Sequence, residues 1–455
     1  MYKINEPVDF KSNLGPGYIT MALAQGSGEL IWWPYLVGKY GISFLWLLPI
    51  AALAQLPINY FLGRFTITTG ESFFEALFKR SKGFASAIWG LFAVSFLWFG
   101  AYASAAGTAL GTFVWPLNVD FSERTKALTW ATIILIISIF IVIKSKKRIY
   151  TFIKIFMSII CILTFVLLLL AIIIPDEVRQ NYLLFTTSLF PFLKSSFWKL
   201  AWWPKSWNPK DWPILISALL FTGMGGFWNV LYSYWAKENR WGVAAKGNNT
   251  SNDGNDDDNR YNFRKWLQIL KLDVTIGIVG NLITTLFISL LALTYLTKSA
   301  ELPSGWRLVV VQSKLFTGLG SFGPSLFIII AVLFLIDFWI TTADAVARVH
   351  CDALYSIFPS FRKYKYKDRY MYIIYALAII TFITMFITSP QFLFMINGVI
   401  NAAAMIIVII CIYYLFKKIE YAIPNWSRPG LFGYSFLLLA FIFFLVSFIL
   451  YLLLS

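Results

Sequence analysis

From Phe436 to Leu454, and again from Leu163 to Ile174, the chain carries no charged residue. Segments of this kind dictate their own fold class. In hydrocarbon no water reaches the backbone, so N–H and C=O groups must pair within a helix or a closed sheet. Runs of about 20 apolar residues match the length of a membrane-spanning α-helix. The same character extends along the whole chain: 59% of its residues are hydrophobic and 13% charged, whereas a soluble domain is about 25% charged. The 19 Trp, 23 Tyr and 43 Phe are enough to furnish aromatic belts at two membrane interfaces.

Eleven spans meet the length rule, at roughly 15–38, 43–63, 84–112, 127–144, 150–174, 212–236, 272–297, 323–348, 370–388, 391–416 and 431–454. They imply an all-α, multi-pass protein of the cell membrane whose surroundings are the lipid bilayer. Residues 1–14 read as a cytoplasmic N-terminus, polar and mixed in charge, with no cleavable signal peptide. Placing that end inside puts the larger share of the 38 Lys and Arg in inner loops, and an odd span count then leaves the C-terminus extracytoplasmic. The same distribution explains the formal charge of +16 without a nucleic-acid partner. Basic clusters at 144–148 and 362–369 are either orientation signals or contacts with anionic lipid.

Between the spans, 175–211 reads as a Trp-rich outer loop lying in the interface, with Trp198, Trp202, Trp203 and Trp207. The stretch 246–260 reads as a disordered acidic cytoplasmic loop. Cys161, Cys351 and Cys411 lack metal-ligand spacing and read as small buried hydrophobes. No Ser/His, Cys/His or phosphate-loop arrangement marks an enzyme. Nothing implies an obligate protein partner.

Two spans are interrupted at matching places. Span 1 contains Gln25-Gly26-Ser27-Gly28-Glu29, and span 6 contains Thr222-Gly223-Met224-Gly225-Gly226 followed by Asn229. Each break falls in the first helix of a five-helix unit, 15–174 and 212–416, with 431–454 left over as an extra C-terminal helix. Because five is odd, the two units insert with opposite topology, an inverted repeat whose broken helices mark a transporter's binding site. Glycines also serve close helix packing, and Ala103, Gly107 and Gly111 read that way. At the two breaks polar residues accompany the glycines. The expected binding residues are therefore Gln25, Gly26, Ser27, Glu29, Thr222, Gly223, Gly225 and Asn229.

Charged groups at membrane depth narrow the field further. A carboxylate there costs about 2.5–3.5 kcal/mol on insertion scales, which makes it functional by default. Glu29 leads because it adjoins the first break. Asp337, near the middle of span 8, is either a carboxylate for a proton or ion, or a hydrogen-bond partner of a neighbouring helix. Asp344, Arg348 and Asp352, spaced by four, read as internal ion pairs, and Glu71 and Glu75 beside Lys79 and Arg80 as an inner-surface network.

At this point the sequence resembles the natural resistance-associated macrophage protein (NRAMP) family of divalent-metal transporters, part of the APC superfamily with the LeuT-like fold. The likeness begins at Gly15-Pro16-Gly17 and continues through Lys39-Tyr40-Gly41, Gln55-Leu56, Gly63-Arg64, Thr69-Gly70 and Glu75. Asp273 and Asn281 in span 7 extend it, so that it covers most of spans 1 to 10. The departures fall on the coordinating set. The family's first-break motif, Asp-Pro-Gly-Asn, aligns with Gly26-Ser27-Gly28-Glu29, and its Met-Pro-His with Gly225-Gly226-Phe227. Its acids of the third span align with Ala101 and Ser104, which puts proton coupling in doubt, and the sole histidine, His350, lies outside the broken helix.

Three functions remain open. The first is alternating-access transport of a divalent cation, with Glu29, Gln25 and Asn229 as metal ligands and backbone carbonyls completing the set. All-oxygen ligation suits Mg2+ or Mn2+, carried as cargo and partly hydrated, with no cofactor. The second is transport of a small organic solute, an amino acid or amine, over which Trp32, Phe227 and Trp228 close. The third is a non-transporting sensor or scaffold.

Overall fold

The computed structural model describes residues 3–7, 13–25, 31–114, 122–145, 149–191, 203–244, 256–299 and 301–454. Gly26, Ser27 and Glu29 of the expected site lie outside the described residues, as do Gly28, Trp198, Trp202 and 246–255 of the expected acidic loop. Among the described residues the regular structure is helical throughout. In chain order the main helices are α1 (Pro16–Ala24), α2 (Trp33–Tyr40), α3 (Leu47–Leu53), α4 (Leu56–Thr69), α5 (Phe73–Arg80), α6 (Lys82–Ser95), α7 (Gly100–Val114), α8 (Glu123–Ser145) and α9 (Ile149–Ile173). They continue with α10 (Trp212–Leu220), α11 (Leu231–Glu238), α12 (Asp256–Tyr295), α13 (Phe322–Ile357), α14 (Tyr366–Met385), α15 (Pro390–Ile419) and α16 (Leu431–Leu454).

Eight stretches of the described residues are long and apolar enough to cross a membrane: α6 with α7, then α8, α9, α12, α13, α14, α15 and α16. Three further expected spans are each made of two shorter helices: α1 with α2, α3 with α4, and α10 with α11. Between α3 and α4 the chain turns at Ala54-Gln55, just before Pro57, which lacks the N–H that would continue the ladder.

The 40 residues of α12 correct one expectation. Residues 256–260, read as part of a disordered loop, are its first turns, and Asp256, Asp257 and Asp258 lie at its N-terminus. Carboxylates there favour the helix because they face its positive end, so an acidic run that resembles a solvated loop starts a helix instead. The extension also holds the N-terminal segment. Ile4 N–H donates to Asn259 Oδ1 (2.8 Å), Asn262 Nδ2 donates to the Ile4 carbonyl (3.0 Å), and Trp266 Nε1 donates to the Asn5 carbonyl (2.7 Å).

The packing pairs helices across the two halves of the chain. α1 lies against α9 and α12, while α10 and the segment after it lie against α15; α4 packs on α12, and α7 on α13. α16 is mostly exposed, as a helix bathed in lipid should be. With α3, α4 and α12 it borders an apolar groove of about 870 Å³.

One side chain anchors the start of α1. Asp273 of α12 is fully buried and receives the Gly15 N–H (2.8 Å) on one oxygen and the Gly17 N–H (2.5 Å) on the other. Tyr232 of α11 donates to it as well (2.8 Å). These are orphan donors of a helix N-terminus, which nothing else in hydrocarbon would satisfy. Gly17 sits so close to the Asp273 backbone that a Cβ would collide with it. Asp273→Ala is expected to lower the thermal unfolding temperature in detergent, by the equivalent of about 1–3 kcal/mol for each donor left unpaired. Gly17→Ala should act in the same direction through the clash.

Candidate functional site

The second break is defined in atomic detail. α10 ends at Leu220, and α11 begins at Leu231. Between them Gly225 and Gly226 adopt positive φ (71° and 51°), a conformation that side-chain-bearing residues rarely adopt. The freed backbone groups are met by two amides from other helices. Gln55, at the α3–α4 turn, donates to the Leu220 carbonyl (2.7 Å) and accepts the Gly225 N–H (3.1 Å). Asn401 of α15 accepts the Phe227 N–H (3.0 Å) and is itself held by Asn397 (2.6 Å between side chains). Gly223 backs onto the Gln55 amide and Gly226 onto Asn401, with no room for a Cβ at either. All three amides are buried.

The residues expected to bind cargo divide into two sets. Thr222 donates to the Ala218 carbonyl (2.7 Å) and accepts from Trp33 Nε1 of α2 (3.1 Å), so its hydroxyl joins α2 to the end of α10. Gln25 faces α9 and α12: its Nε2 donates to Thr284 (3.4 Å), and Cys161 Sγ donates weakly to its Oε1 (4.0 Å). It lines a cavity of about 20 Å³ with Thr164, Ile288, Phe316 and Phe334, room for about one water molecule. Asn229 differs from both. It is fully buried, its Nδ2 reaches the Gly226 carbonyl (3.4 Å) and Met405 Sδ (3.5 Å), and its Oδ1 has no protein donor among the described residues.

Asp337 is also unmatched. It is fully buried in α13, receives only the Thr341 hydroxyl at 3.5 Å on Oδ1, and has no partner at Oδ2. No described Lys, Arg or His forms an ion pair with it. Phe334, one turn earlier, lines the Gln25 cavity, so Asp337 lies near that face of α13. Two amides without hydrogen-bond partners add to the set, Asn59 of α4 and Asn281 of α12. Asn281 stands one turn before Thr284, on the side of α12 that runs along α1, and Asn59 stands one turn after Gln55. No group of three or more His, Cys, Asp or Glu that could hold a metal occurs among the described residues.

Aromatic rings fill the space beyond the second break. Trp228 packs on Phe96 (4.7 Å between centroids), Phe338 (5.3 Å) and Tyr102 (6.1 Å), while Tyr102 stacks on Phe338 (3.8 Å). Phe227 meets Phe92 (5.7 Å), and Trp32 is wholly buried. Of the positions matching the family's coupling acids, Ala101 is buried and Ser104 bonds back to the Gly100 carbonyl (2.6 Å). His350 accepts from Trp89 (2.9 Å).

Both ends of the broken helices are tied. At one end Lys39 (2.6 Å), Tyr40 (2.5 Å) and Tyr35 (3.4 Å) of α2 converge on Asp211, which precedes α10. At the other, Tyr232, Asn239 and Trp241 link α11 to Asp273 and to the Asn13 carbonyl ahead of α1. α11 is bound further by Lys237 to Glu75 (2.5 Å) and by Glu238 to Arg348 (2.5 Å), which also holds Asp344 (3.0 Å).

With the geometry in place, comparison with known proteins defines the class. No protein family's sequence profile matches the chain, and no curated protein sequence does. Solved structures match well. A mutant of the Eremococcus coleocola manganese transporter (H236A) superposes with a TM-score of 0.64 at 12% identity, over 98% of this chain and 89% of that one. MhsT in complex with L-phenylalanine gives 0.59 at 16% identity, over 96% and 97%. Mhp1, a nucleobase-cation-symport-1 family transporter, gives 0.58 at 13% identity, over 98% and 95%. The chain is a multi-pass membrane protein with the LeuT-like transporter fold. At such identities the likeness is one of fold.

Two outcomes follow. Gln55→Ala leaves the Leu220 carbonyl and the Gly225 N–H unpaired; it should speed amide hydrogen exchange across 220–227 and cost about 1–3 kcal/mol per orphaned group. Glu75 supplies a pH test. Burial pushes its carboxyl upward, but the Lys237 hydrogen bond and charge, with Lys79, outweigh this and hold it below the ordinary 4.5. A depressed carboxylate stabilises the fold fully above its unfolded value and loses that contribution as pH falls through the folded one. Glu75→Gln should therefore lower the unfolding temperature at pH 7 and flatten its decline below about pH 4.5, read from melting temperature against pH.

Proposed function

We propose that this chain is a secondary transporter of a small divalent cation, working by alternating access about the two broken helices. The observation that carries the reading is the set of buried oxygens without protein donors: Asn229 Oδ1 at the second break and Asp337 Oδ2 on α13, with the unpartnered amides Asn59 and Asn281. A buried carboxylate without a counter-charge is costly, so Asp337 calls for a proton or a cation. Oxygen donors suit a hard ion. The Met405 thioether beside Asn229 adds a softer donor and favours manganese over magnesium. Glu29, Gly26 and Ser27 complete the proposed site from the first break, with Gln25 at its edge. The fold shared with a manganese transporter structure agrees with this cargo.

In the proposed arrangement, α1 with α2, α3 with α4 and α10 with α11 act as single spans, giving eleven. The pairing of α1 with α9 and of α10 with α15, first helix with fifth in each half, supports the inverted repeat of 15–174 and 212–416. The N-terminus is cytoplasmic, the C-terminus extracytoplasmic, and the chain does its work without enzymatic chemistry or a cofactor.

The aromatic cluster of Trp228, Tyr102 and Phe338 favours a second reading, an organic solute such as an amino acid or amine. Flux into proteoliposomes separates the two. The metal reading expects manganese uptake that falls at least tenfold in Glu29→Ala and Asp337→Asn, because each removes a carboxylate from the ion's path. Absence of manganese and magnesium flux, together with amino acid uptake, would establish the solute reading instead. Manganese flux unchanged in both variants would overturn the site.

A further inference from the structure

We infer that a pocket on the inner side of the fold, apart from both breaks, binds a phosphate-bearing anion. The pocket has a volume of about 490 Å³ and is walled by α5, the inner end of α13 and the start of α14. That volume falls in the range of small-molecule sites, about 300–1,000 Å³. Its cationic lining is Lys79, Lys82, Arg362 and Arg369, set against the two carboxylates of Glu75 and Asp352.

Arg369 is the decisive group. It is only 8% exposed, and its guanidinium forms no hydrogen bond or ion pair with any described residue; Nε is fully enclosed and unmatched. Two rings bracket it instead, Tyr355 at 4.6 Å and Tyr366 at 5.8 Å from Cζ. Burying a charge without an acceptor is costly, and an unsatisfied buried polar group in a native fold needs an explanation. The rings hold the planar fork in place, and a fork of that geometry matches phosphate oxygens two at a time.

The other charges are disposed to suit such a ligand. Glu75 is held by Lys237 (2.5 Å) and Lys79 (3.4 Å), and Lys79 pairs with Glu71 as well (2.9 Å), whereas Asp352 accepts the Ser72 hydroxyl (3.5 Å) and keeps its charge. Arg362 is anchored by the Tyr355 and Ser356 carbonyls, which neutralise none of its charge. Lys82 is exposed and pairs with no described acid. The pocket thus presents Lys82, Arg362 and Arg369 without a paired carboxylate against one unpaired acid, Asp352, an excess of positive charge that the described residues do not balance.

The ligand would bridge α5 to α13 and α14. Since Glu75 of α5 also holds Lys237 of α11, occupancy bears on the inner half of the second broken helix. The same chemistry is offered by a soluble phosphate compound and by a lipid phosphoryl headgroup, and the two arms of the test tell them apart.

The full chain, in phosphatidylcholine nanodiscs, is titrated with inorganic phosphate and with inositol trisphosphate while melting temperature is followed. In the second arm the nanodiscs contain phosphatidylinositol phosphate and no soluble anion is added. Stabilisation in either arm, beyond that of chloride at equal ionic strength, is expected, and the responding arm identifies the source. Lys82→Gln and Arg369→Gln should each weaken the apparent affinity roughly tenfold or more, the worth of a charged hydrogen bond. Arg428→Gln, outside the pocket, should leave it unchanged. Lys82 is exposed, so its variant remains informative even if Arg369→Gln fails to fold. No stabilisation in either arm, or stabilisation equal in the Lys82 variant and the parent, would overturn the site. Because the readout is binding, the result is independent of which cargo the breaks accommodate.

Discussion

The structure depends on how the irregular backbone at 221–225, between α10 and the short 3-10 turn Gly226–Val230, is kept satisfied in a place that offers no bulk water. Gln55 and Asn401 reach in from two other helices and replace the partners a continuous helix would have supplied. That replacement has a geometric consequence. The second broken helix is fixed to α3–α4 on one side and to α15 on the other, so the dipolar ends at the break have a defined direction.

The broken helices form a connected pair, although no covalent or sequence proximity links them. Trp33 and Thr222 join α2 to α10, reinforced by Asp211 and its three partners on α2. Asp273 and Asn13 join α1 to α11 through residues of α11 and the turn after it. Alternating access on such a frame would require one set of contacts to part while the other holds. The two sets differ in kind. The set between α2 and α10 includes a lysine–carboxylate pair, whereas the set between α1 and α11 consists mainly of hydrogen bonds to backbone groups, supplemented by the ion pairs of Glu75 and Arg348.

Much of the fold was legible because hydropathy and helix length are local properties. The expected spans at 127–144, 391–416 and 431–454 match α8, α15 and α16 within a few residues. The inner extent of α12 was hidden, since an Asp-rich run reads alike as a loop and as the start of a helix. The second break lies where the sequence put it, but the hydrogen-bond partners of its side chains are not local. Thr222 looked like a ligand because it is polar and next to glycine; its hydroxyl is taken up by Trp33, 189 positions away. Asn397 and Asn401 carried no local signal, being isolated amides in apolar segments, and Gln55 stood out only as part of a short family-like motif; their partners emerge only when distant helices meet. Asn229 and Asp337 were legible for a physical reason, as polar groups at a depth where polarity is costly.

The cap on α1 has a consequence for how the chain is made. Gly15 and Gly17 precede their shared partner, Asp273, by 258 and 256 positions, and the Ile4 N–H awaits Asn259 across a gap of 255. Synthesis runs from the N-terminus, so the first helix to leave the ribosome enters the bilayer with its leading N–H groups unmatched. They stay so until the seventh expected span has been translated. Contacts of such separation form late and slowly. The first five helices are thus an unfinished half, and α12 is the element whose arrival closes the N-terminal end of the molecule.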